Sequence, residues 1–84
     1  MRDAPTPELM AWLRRLPPRD RLAMMYAIAD VFPSFKNARE WTVGIDDLLA
    51  ELKPTSQEHG DIMAEGSRIG RTLKRQLKSD EPDQ

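Results

Sequence analysis

The chain contains no cysteine, which excludes a disulfide framework, a thiolate zinc site and a cysteine nucleophile. It has one histidine, so a His-rich metal centre is excluded as well. The longest uninterrupted apolar run, Leu22–Ala29, is eight residues, far short of the ~20 that span a membrane. No apolar stretch follows Met1 to Pro5, which predicts no secretory leader. Glycine is scarce, at four residues. Gly66-Ser67-Arg68-Ile69-Gly70 has no strand before it and lacks the spacing of a phosphate-binding loop. These absences lead us to expect a soluble, cytoplasmic protein that is not an enzyme, binds no metal or cofactor and meets no membrane. A chain of 84 residues allows one small domain, burying only about 60–65% of its unfolded surface.

Helix punctuation is abundant. Thr6 suits an N-cap, with Pro7 at the first helical position and Glu8 in the first turn. Leu9, Trp12, Leu13 and Leu16 follow at the spacing of one buried helix face; Pro17-Pro18 ends that helix, and Pro18 can also start the next. A second helix over Arg19–Phe32 carries Leu22, Met25, Tyr26, Ala29 and Phe32 in the same pattern and is closed by Pro33; it is the most apolar segment and the expected core element. Phe32–Asn37 reads as a loop anchored by Phe35. Trp41-Thr42-Val43 is bulky and β-favouring, so it reads either as a very short strand or as the end of a helical turn begun at Asn37. Ile45, Leu48, Leu49 and Leu52 form a third stripe, ended by Pro54. Thr55 and Glu58 have capping-box spacing and predict a helix start near Ser56. Gly60 weakens that helix and Gly66 is expected to end it. Ser67 then caps a last helix, Arg68–Lys78, with Ile69, Leu73 and Leu77 inward. The expectation is an all-α bundle of four to five short helices, with residues 1–5 and 79–84 as disordered tails.

The net charge of -1 hides a strong segregation. Residues 1–36 carry six cations and four anions, residues 37–66 two and seven, and residues 67–84 five and three. On the last helix Arg68, Arg71, Lys74, Arg75 and Lys78 fall opposite Ile69, Leu73 and Leu77, with no carboxylate among them. A nucleic-acid backbone selects such a face; a solvated helix end whose cations complement the helix dipole has the same pattern. In the acidic middle, Glu58, Asp61 and Glu65 form one stripe of like charge, and Asp46, Asp47 and Glu51 extend the excess over 46–65. A cationic partner would offset it, as would pairing within the chain.

Other residues read as structural. His59, beside Met63, has no cysteine or second histidine to join it in a conventional zinc site and no orienting partner for catalysis, and reads as a half-buried packing residue. Asp46 and Asp47 point about 100° apart, so they form no facing acid pair and suit a helix first turn. Met10, Met24, Met25 and Met63 read as core filler, and Trp12 and Trp41 as core anchors.

Residues 19–78, read as helix, Trp41-Thr42-Val43, the Leu-rich Ile45-Asp46-Asp47-Leu48-Leu49 helix and the basic Ser67-Arg68-Ile69-Gly70-Arg71-Thr72-Leu73 helix, resemble a small winged helix-turn-helix domain of phage or plasmid type. The resemblance implies a DNA-binding regulator whose recognition helix is Arg68–Lys78. Two features depart from it. The stretch from Leu52 to Ser67 exceeds a tight turn, and only six residues follow Lys78, too few for a wing. The reading is a small regulator that binds DNA through Arg68, Arg71, Lys74, Arg75 and Lys78, as a homodimer or within a larger assembly. The alternative is an adaptor or inhibitor of phage or mobile-element type. It would block a host complex by gripping a basic protein partner through Asp46, Asp47, Glu51, Glu58, Asp61 and Glu65.

Overall fold

The computed structural model describes residues 5–79, with side chains through Leu77. Four helices follow in order: α1 Pro7–Arg14, α2 Pro18–Val31, α3 Arg39–Leu52 and α4 Ser56–Ser79. A 3₁₀ turn, Pro33–Asn37, links α2 to α3, and no strand occurs among the described residues. The all-α bundle expected from the sequence is present.

α2 is the centre. It has small or apolar residues on every side, and Leu22, Ala23, Met25, Ala27, Ile28 and Ala29 are all buried. A helix apolar all round must be covered all round. α1, α3 and the 3₁₀ turn cover one part of it, and α4 packs along another. Thr6 caps α1 as expected, its hydroxyl accepting from the Leu9 amide at 3.1 Å. The other end of α1 is closed from outside: the Arg21 guanidinium donates to the carbonyls of Leu13, Arg14 and Leu16 at 3.0–3.2 Å. A cation over the last carbonyls satisfies acceptors that have no partner within the helix.

Four expectations need correction. Trp41-Thr42-Val43 is not a strand; it lies in the first turns of α3, which starts at Arg39 rather than Asn37. Trp41 is fully buried, its ring meeting Phe35 edge-on at 5.2 Å, and Phe35 stacks on Phe32. Burying one indole in the core outweighs a β preference that is itself mostly a packing preference. Trp12, by contrast, is 42% exposed and anchors nothing. Nor are all the methionines core filler, since Met25 is buried but Met63 is 47% exposed.

The largest correction concerns Gly66, which does not end a helix. α4 runs unbroken through Gly60, Gly66 and Gly70. A β-carbon on Gly66 would stand 2.9 Å from the Ala23 carbonyl oxygen and 2.9 Å from Tyr26 Cβ. One on Gly70 would stand 2.9 Å from Asp30 Oδ2 and 3.2 Å from the Ala27 carbonyl oxygen. The glycines therefore let α4 press its backbone against α2, along a seam that α2 supplies with Ala23 and Ala27. The loss of helix propensity, about 1 kcal/mol per glycine, is offset by the closeness of the packing. The inward face of α4 is Ile62, Gly66 and Gly70, with Ile69 and Leu73 half-buried at its border and Leu77 46% exposed.

Contacts along the seam rise in step, Arg19 with Glu65, Ala23 with Gly66, Asp30 with Lys74, so α2 and α4 run parallel. At 24 residues against 14, α4 is about 36 Å long against about 21 Å and outruns its support. The long axis of the molecule is accordingly 46 Å, against 26 and 22 Å. Residues 1–4 and 80–84, most of the expected tails, lie outside the described residues; Pro5 is buried and Ser79 closes α4.

Candidate nucleic-acid interface

α4 starts where the capping-box spacing predicts. The Thr55 amide donates to Glu58 Oε1 at 2.9 Å, and the Glu58 amide donates to Thr55 Oγ1 at 3.1 Å. Seven residues on, Glu65 accepts from Arg19 Nη1 at 2.9 Å, tying α4 to the start of α2. Between them His59 Nε2 lies 2.8 Å from the Tyr26 hydroxyl. Burial, and then the Asp46 carboxylate, hold that hydroxyl above its ordinary pKa of 10.0. His59 is thus half-buried, as expected, but it is also a polar link between α2 and α4 that its lone position in the sequence does not reveal.

The second half of α4 is different. Arg68, Arg71, Lys74 and Arg75 are all exposed. Lys74 reaches Asp30 at 3.3 Å, in a pair whose side chains are 53% and 46% exposed and which therefore contributes little to stability. Arg68, Arg71 and Arg75 make no side-chain hydrogen bond or ion pair among the described residues. Lys78 belongs to α4, but its side chain lies outside the described residues. No carboxylate occurs between Glu65 and Asp80, so the face is uniformly positive. Its cations also sit at the C-terminal end of the helix dipole, which favours them there.

The acidic candidates do not form one surface. Asp47 and Glu51 join Glu40 beside a cleft of about 340 Å³ between α1, α2 and α3. Asp46 is exposed, and its charge opposes the ionisation of Tyr26. Glu58 and Asp61 border a hollow of about 220 Å³ with Arg19, Leu52 and Pro54. Glu58 is a cap and Glu65 an ion-pair partner, so the stripe read from the sequence is largely engaged within the fold. Among the described residues no group of three or more His, Asp or Glu side chains could hold a metal ion, and no helix is long and apolar enough to cross a membrane.

Sequence reasoning missed the Gly66–Gly70 seam, Arg21 as a cap and the Tyr26–His59 link. Only the first left a signal: small residues four apart on both helices, at 23 and 27 and at 66 and 70. No protein-family model matches the chain, and no curated protein or solved structure matches it.

Proposed function

We propose that this protein is a small, non-enzymatic DNA-binding regulator that contacts duplex DNA through the C-terminal half of α4. The observation that carries the reading is that Arg68, Arg71 and Arg75 stand together on an exposed helix face with no carboxylate partner among the described residues. Burial or internal pairing would have used these charges; instead their stems and heads are available to phosphates. A helix outrunning the globule also meets a groove without the body of the protein colliding first. One copy offers only a few phosphate contacts, so binding by a single copy is weak and strongly salt-dependent. The competing reading, a basic protein gripped through 46–65, has less support, because Glu58 and Glu65 already serve as cap and ion-pair partner.

Anisotropy of a labelled DNA duplex, titrated with the full chain across a salt series, tests the proposal. Arg71→Ala with Arg75→Ala is expected to weaken binding and to reduce the log–log salt slope by about two, one per lost phosphate contact. The thermal midpoint should be unchanged, since both side chains are exposed. No binding by the wild type at about 50 mM salt, where phosphate contacts count most, would sink the DNA reading.

A further inference from the structure

The cleft between α1, α2 and α3 has a floor of Leu13, Met25 and Leu48 and an exposed valine, Val43, at its mouth. Gly44 lines it without a side chain, and Met25 Cε lies 3.3 Å from where its Cβ would stand. One wall carries Glu40, Asp47 and Glu51, all on α3 and none in an ion pair among the described residues. The opposite wall carries Arg14 and Arg21, and Arg21 is committed to the carbonyls that end α1. An occupant must therefore be apolar on one edge, cationic on the flank toward α3 and free of cations on the flank toward Arg14.

The far end of α4 has that pattern. Leu73 is half-buried beside the end of α2, and Leu77, one turn further on, is 46% exposed. Projected at about 100° per residue, Lys74 lies on one flank of the Leu73–Leu77 edge, and Thr72 and Gln76 on the other. The same copy cannot fill its own cleft, because the packed length of α4 lies against α2 and no residue of α4 lines the cleft. We propose that the chain pairs with a second copy of itself, the Leu73–Leu77 edge of each α4 seated in the other's α1–α2–α3 cleft. Lys74 then faces Glu40, Asp47 and Glu51, while Gln76 faces Arg14. Lys74 exchanges its exposed contact with Asp30 for this wall. Two such seats related by a two-fold axis close the assembly at two copies, and Arg68, Arg71 and Arg75, on the back of the helix, stay open.

Sedimentation velocity of the full chain over a concentration series, without nucleic acid, decides this independently of whether DNA is bound. At about 0.1 M ionic strength we expect a monomer–dimer equilibrium, and at about 1 M sodium chloride, where the Debye length falls from about 10 Å to about 3 Å, a shift toward monomer. Asp47→Lys with Glu51→Lys should raise the dimer dissociation constant at least about tenfold. Leu77→Asp should do the same from the other side of the contact; being exposed, it leaves the fold intact and serves even if the cleft variant misfolds. A wild-type chain that stays monomeric at the lower salt overturns the proposal, and so does a dimer that Leu77→Asp leaves unchanged.

Discussion

The two halves of α4 share one helix and use their charge in opposite ways. Before Gly66 every turn is fastened: Glu58 to Thr55, His59 to Tyr26, Ile62 into the core, Glu65 to Arg19. After Gly70 one exposed ion pair, Lys74 with Asp30, is the only fastening among the described residues. A side chain engaged in holding the fold is unavailable to a partner. The half of the helix that contributes least to stability is therefore the half where binding should be sought. The acidic residues, though more numerous in sequence, are divided between a cap, an ion pair, a tyrosine's surroundings and a cleft wall.

Substitutions in the two halves sharpen this contrast. The largest effect is expected from Ile62→Ala, which opens a cavity at a residue only 2% exposed and should cost about 2–4 kcal/mol. Leu77→Ala, the same chemistry on the unsupported half, should stay within about 0.5 kcal/mol. Comparable losses from the two in chemical denaturation would break the comparison. Next come the glycines. Gly66→Ala pushes a methyl group into the α2 backbone and should destabilise by about 1–3 kcal/mol despite a better helix former. Gly60→Ala meets nothing within 4 Å and should instead stabilise, by up to about 1 kcal/mol. Thermal midpoints moving in the same direction would show that the seam is looser than described. The smallest effect lies at high pH. The Tyr26 hydroxyl titrates above its ordinary 10.0 in the folded chain, so it keeps its proton after the unfolded chain has lost it. Stability should therefore fall as pH rises through about 10, and Tyr26→Phe should flatten that fall in a pH series of urea midpoints.

What the sequence determined by itself is local. The Thr6 cap, Pro18 opening α2, the Thr55–Glu58 box opening α4 and the all-α class follow from interactions spanning four residues or fewer, which periodicity and punctuation encode directly. The basic face of 68–75 was legible too, because no carboxylate interrupts it. What only the tertiary structure decided turns on residues far apart in the chain. Gly66 reads as a helix end until Ala23 and Tyr26 arrive at 2.9 Å, where a stop signal becomes a packing surface. Trp41 reads as strand until Phe35 gives its ring a core to enter. Glu65 reads as surplus charge until Arg19, 46 residues away, takes it up. For the glycine and the tryptophan the local preference is worth about 1 kcal/mol or less, while close packing or an unoccupied core position offers more, and which residue meets it is fixed only once α2 has its neighbours.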